Sequence, residues 1–87
     1  MKLKYEFALS EVAGEIVAVS VGAEDRNMVI SLNATARFMW ELLASHTDVD
    51  TMAAALMDKY DGLDMETSRA EVEEFVQLLR EQELLDE

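Results

Sequence analysis

Residues 28–43 read MVISLNATARFMWELL, and two spacings meet inside this stretch. From Met28 to Leu32 the side chains alternate. Met28, Ile30 and Leu32 fall on one side and Val29 and Ser31 on the other, which is the period of a β-strand. From Asn33 onward the spacing is helical. Asn33 is a natural N-cap, and a helix from Ala34 to about Ala44 places Phe38 with Leu42 and Trp40 with Leu43 on neighbouring faces. The chain therefore changes character at Leu32, from strand-forming to helix-forming.

Before this point the strand pattern continues. Tyr5, Phe7 and Leu9 alternate with Glu6, Ala8 and Ser10, as in a strand with one buried face. Ala13 and Gly14 supply turn chemistry, and residues 15–21 (EIVAVSV) form a β-branched run. Residues 22–27 (GAEDRN) read as a polar loop leading to Met28. Three sequential strands with short links predict an antiparallel meander.

After Leu43 two more helices are expected. Thr47 or Asp48 can cap the first, in which Val49, Met52, Ala53, Leu56, Met57 and Tyr60 form an amphipathic stripe. Asp61 and Gly62 end it, with Gly62 suited to a left-handed backbone. Asp64 then caps a longer helix over residues 65–83, with Val72, Phe75, Val76 and Leu79 on one face. No proline interrupts any segment. With 87 residues and no repeat or flexible linker, residues 1–87 read as one domain of α+β class.

Composition excludes several kinds of chemistry. The chain has no Cys and one His, so no disulfide framework, thiolate metal site or cysteine nucleophile can form. His46 alone is too few imidazoles for a closed zinc site, and it falls in a linker without a recognisable catalytic partner. No serine sits in a nucleophile elbow and no glycine loop could cradle phosphate. The acids Glu71, Glu73 and Glu74 read as a solvated helix face, and the acids around Gly62 lack the calcium-loop pattern. Neither an enzyme, a metal site nor a cofactor is expected. No apolar run approaches the roughly 20 residues that cross a bilayer, and no export signal opens the chain, which predicts a cytoplasmic location.

Charge is unequal along the chain. Nineteen acidic residues outweigh seven basic ones, a formal −12, and ten of these net negative charges lie after Leu32. Such a surface repels nucleic-acid phosphate. Interaction with a peptide or protein is what remains. On the third helix Glu71, Glu74, Phe75, Leu78 and Gln82 form a flank beside the core stripe. That flank is either the margin of a wide core face or the wall of a groove. The strand Met28–Leu32 has no inward charge, lysine or proline of its own, the devices that guard exposed edges. It is either central in the sheet or an edge open to a strand from another chain.

Three blocks resemble a known family: residues 11–22 (EVAGEIVAVSVG), 30–43 (ISLNATARFMWELL) and 72–85 (VEEFVQLLREQELL). Together they are similar to the PqqD-like family, named for pyrroloquinoline quinone biosynthesis protein D. The most specific piece is L-N-x-T-A-x-x-x-W-E-L-L, Leu32 to Leu43. The resemblance implies a winged-helix-like α+β fold, a three-stranded antiparallel sheet followed by three helices, with no catalysis and no cofactor. It further implies a recognition element that binds the leader of a ribosomally synthesised precursor peptide and presents it to a modifying enzyme, frequently a radical S-adenosylmethionine (SAM) protein. On this chain the implied peptide-binding residues are Met28, Val29, Ile30, Ser31 and Leu32 on the strand. On the helix they are Glu71, Glu74, Phe75, Leu78 and Gln82. An acidic groove suggests a leader bearing Lys or Arg. Ile30→Pro is expected to remove a donor and distort the ladder, and so to impair peptide binding if the domain still folds. The alternatives are a homo-oligomeric interaction module, monomer or homodimer being open, and a winged-helix nucleic-acid regulator.

Overall fold

The computed structural model describes residues 1–21 and 28–87; the loop expected at 22–27 lies outside the described residues. In chain order the elements are β1 (Lys2–Leu3), β2 (Phe7–Val12), β3 (Glu15–Ser20), β4 (Val29–Leu32), α1 (Ala34–Leu42), α2 (Val49–Lys59), α3 (Met65–Glu81) and β5 (Leu85–Asp86). Strands β2, β3 and β4 form an antiparallel sheet in that spatial order. The fold is α+β, a three-stranded meander followed by three helices.

The β2–β3 hairpin turns through Ala13 and Gly14, both at positive φ (52° and 83°), as a two-residue type I′ turn requires. One sheet face carries Phe7, Leu9, Ile16, Ala18, Ile30 and Leu32 against the helices, and all six pack into the core. The opposite face leaves Val12, Val19 and Val29 exposed.

Each helix starts on its expected cap. Oδ1 of Asn33, Asp48 and Asp64 accepts the backbone N–H of Ala36, Thr51 and Thr67, each at 2.7 Å. The Thr51 and Thr67 amides hold the carboxyls of Asp48 and Asp64 below their ordinary value, because accepting those bonds favours the charged form. Met52, Ala53 and Leu56 of α2 meet Val72, Val76 and Leu79 of α3 in the fully enclosed core. Ser68 of α3 is buried there too, and its hydroxyl donates to the Ala53 carbonyl at 2.7 Å, which satisfies it.

The structure departs from the sequence reading at element ends. Helix α1 stops at Leu42 instead of Ala44, and α3 at Glu81 instead of Glu83. The α3 terminus is a Schellman turn built without glycine. Glu83 takes the left-handed conformation (φ 57°), Leu84 N–H reaches the Leu79 carbonyl at 3.0 Å, and Glu83 N–H reaches that of Arg80 at 3.0 Å. The turn drives Leu84 into the core and starts β5, which pairs with β1. That two-stranded ribbon is absent from the sequence reading, whose first strand begins at Tyr5. It is stitched inward by Leu3 N–H to the Leu43 carbonyl and Lys4 N–H to that of Leu84, both 2.8 Å. The C-terminal end of α3 is thereby held against the α1 end of the molecule, on the side where the candidate site lies.

Candidate functional site

The order β2-β3-β4 makes β4 an edge, because no strand among the described residues pairs with its far side. The choice between a central and an edge position is thus resolved in favour of the edge. The other edge, β2, ends with Glu11 on its helix-facing side, a charge of the kind that discourages strand pairing. Strand β4 carries no charge at all.

The register identifies which groups of β4 are free. Ser20 N–H bonds the Met28 carbonyl at 3.1 Å, and Val21 N–H bonds that of Glu6 at 2.9 Å. These bonds mark hydrogen-bonded pairs, and such pairs alternate along an antiparallel ladder. Stepping by two through the register, Ile30 with Ala18 and Leu32 with Ile16 are also bonded pairs. The N–H and C=O of Ile30 and Leu32 are therefore spent on β3. Those of Val29 and Ser31 point away from the sheet, toward the open edge. This corrects the expectation for Ile30→Pro: the donor removed there belongs to the β3–β4 ladder and not to the edge.

Beside this edge runs a groove of about 610 Å³ between β4, α1 and α3. Of the residues singled out from sequence, Ile30, Ser31, Leu32, Glu71, Glu74, Phe75, Leu78 and Gln82 all border it. Met28 and Val29 do not; Val29 is 67% exposed on the sheet face turned from the helices. Leu78 is 56% exposed, so it is no margin of a wide core stripe. Phe75 is half-buried and shares both roles, packing on the core while facing the groove.

The sequence reading missed the α1 wall. Asn33, Thr35, Ala36, Met39 and Trp40 border the groove, as do Leu79 and Leu84. A signal existed for the α1 residues. Only Asn33 separates β4 from α1, so a helix face containing Thr35 with Met39 and Ala36 with Trp40, each four apart, must flank whatever lies beside β4. Leu84 had no such signal, since only the Schellman turn brings it inward.

Among the described residues the groove is electrostatically one-signed: its border holds Glu71 and Glu74 and no Lys, Arg or His. The helix arginines pair elsewhere: Arg37 with Glu41 at 3.0 Å, Arg69 with Asp50 at 2.7 Å and Arg80 with Glu87 at 2.6 Å. Among the described residues no cluster of three potential metal ligands occurs, and His46 is exposed. No described helix is long and apolar enough to cross a membrane. An open strand edge beside a half-apolar groove can hold an extended peptide through its main chain while testing alternate side chains.

Comparison with known proteins agrees with this fold. A solved structure described as "TbiB1 in Complex with the TbiA(beta) Leader Peptide" superposes with a TM-score of 0.76 at 21% identity, covering 99% of this chain and 95% of that one. No curated protein sequence matches. Residues 15–85, from the start of β3 into β5, match the family described as Coenzyme PQQ synthesis protein D, and the chain therefore belongs to the PqqD family.

Proposed function

We propose that this protein is a non-catalytic recognition element for the leader segment of a ribosomally synthesised precursor peptide. The leader adds as an antiparallel strand to the β4 edge and lies in the groove against α3. The protein then presents the peptide to a modifying enzyme, which we propose is a radical SAM protein acting in the cytoplasm.

The observation that carries this reading is the coincidence of two features on one side of the molecule. The main-chain groups of Val29 and Ser31, unpaired among the described residues, run along the edge of a strand that borders a groove whose far wall is Phe75 and Leu78 of α3. Either feature alone is common; together they give a strand both a ladder and a pocket for its side chains. Family membership supports the reading, as does a structural neighbour bound to a leader peptide.

The test is calorimetric titration with the leader of a short precursor encoded beside this gene. Binding in the wild type that is lost in Leu78→Asp supports the proposal; Leu78 is exposed, so this variant keeps the core intact. Undiminished binding in Leu78→Asp contradicts it. Pairing of β4 with a second copy is the competing use of the same edge. A dimer in ultracentrifugation that peptide fails to dissociate favours that use.

A further inference from the structure

The open edge of β4 determines which positions of an added strand reach the groove, and the charges there determine what those positions carry. We infer that the groove selects a cationic leader of period two, with apolar and Lys or Arg side chains at the positions facing Ile30 and Leu32, next to Glu71 and Glu74. This deepens the leader-binding reading and rests on it.

The register supplies the period. A strand bonded to the outward N–H and C=O of Val29 and Ser31 places the residues paired with those two on their sheet face, away from the helices. Residues opposite Ile30 and Leu32 take the helix-side face, where both border the groove. Only alternate leader residues are therefore read by the groove. Their own N–H groups point away from β4, so proline is tolerated there and excluded at the residues paired with Val29 and Ser31.

The charges supply the chemistry. Among the described residues Glu71 and Glu74 border the groove without an ion-pair partner, and no Lys, Arg or His stands in its lining. The apolar part of the border, Ile30, Phe75 and Leu78, accommodates aliphatic side chains or the methylene stem of a lysine whose ammonium reaches the carboxylates. An acidic leader would bring like charges together and lose affinity. Because these pairs remain wetted, two of them are worth about tenfold in affinity at low salt, and less as salt rises.

The experiment uses two synthetic peptides that alternate threonine with groove-facing residues, valine and lysine in one and valine and glutamate in the other. Fluorescence anisotropy at low salt measures their affinity for the wild type, for Glu71→Gln/Glu74→Gln and for Glu66→Gln/Glu81→Gln. The last variant removes the same charge from exposed positions of α3 outside the groove. The expected result is a lysine preference of about tenfold that collapses in the Glu71/Glu74 variant and persists in the Glu66/Glu81 variant. Equal affinities, or equal losses in both variants, overturn the inference. The Val29 and Ser31 amide resonances separate its failure from that of the underlying reading. Shifted amides without a charge preference overturn the inference alone; unshifted amides overturn both.

Discussion

Phe7 of β2 meets Trp40 of α1 edge to face, with ring centroids 4.9 Å apart and planes at 86°. The contact fastens β2 to the first helix. Trp40 is only 3% exposed, yet it borders the β4–α3 groove on one side and a second hollow beside β1 and β2 on the other. The ring is thus a partition as well as a core residue. Removing it both opens a cavity and changes the groove.

Trp40→Ala is expected to cost about 3–5 kcal/mol, as for other buried aromatic truncations. Against a total of about 5–15 kcal/mol for an ordinary domain, that is a large share. Phe7→Leu keeps apolar volume but loses the edge-to-face geometry, with an expected cost of about 0.5–1.5 kcal/mol. Urea denaturation followed by circular dichroism measures both, and a Trp40→Ala cost below that of Phe7→Leu would contradict this account.

The hairpin turn offers a stabilising change. Ala13 holds a left-handed backbone that its Cβ disfavours, whereas asparagine adopts it readily, and Asn-Gly is the preferred type I′ pair. Ala13→Asn should raise stability by about 0.5–1 kcal/mol and leave peptide affinity unchanged, because Ala13 does not border the β4–α3 groove. A lower melting temperature for this variant would show that the turn is not of that type.

Acid sensitivity should track the helix caps. Asp48 and Asp64 have carboxyls held below their usual value of 3.8 by the Thr51 and Thr67 amides. A depressed native pKa means the unfolded chain binds protons first. The caps therefore contribute fully above the unfolded value and lose that contribution as pH falls through the native one. In Asp48→Asn/Asp64→Asn, stability should be less dependent on pH below about 4 than in the wild type. Identical pH profiles of melting temperature would contradict this assignment.

Two proline substitutions one residue apart should behave differently. Ser31→Pro removes an N–H directed at the open edge, a position where strands tolerate proline. The protein should fold and lose about tenfold or more in leader affinity. Ile30→Pro removes a bond to Ala18 inside the sheet and should destabilise the fold by about 3 kcal/mol. Normal leader binding by a folded Ser31→Pro variant would count against strand addition.

Much of this was legible in the sequence, for identifiable reasons. Asn33, Asp48 and Asp64 each stand before a helical stripe, and a cap depends only on local chemistry. The alternation of Phe7 with Leu9 and of Ile30 with Leu32 likewise identified their buried face. What periodicity could not decide was whether Val29–Leu32 lay inside the sheet or at its edge, because either position suits an uncharged strand of four residues. Neighbours decide that. The β1–β5 ribbon has two residues per strand and hence no period to detect. Its partner segment follows a helix stop at Glu83 that carries no glycine to announce it. The helix wall of Glu71, Glu74, Phe75, Leu78 and Gln82 could be read from one helix, whereas the place of Met39 and Trp40 on the groove follows from joining two elements, α1 starting one residue after β4.

The central claim is that a leader strand pairs with β4 through the main chain of Val29 and Ser31. Residue-resolved amide hydrogen exchange, with and without saturating leader peptide, tests it most directly. The expected result is slowing of at least about tenfold at Val29 and Ser31, with a smaller change at Ile30 and Leu32, whose N–H groups already bond β3. Unchanged exchange at Val29 and Ser31 in the saturated complex would contradict strand addition at this edge.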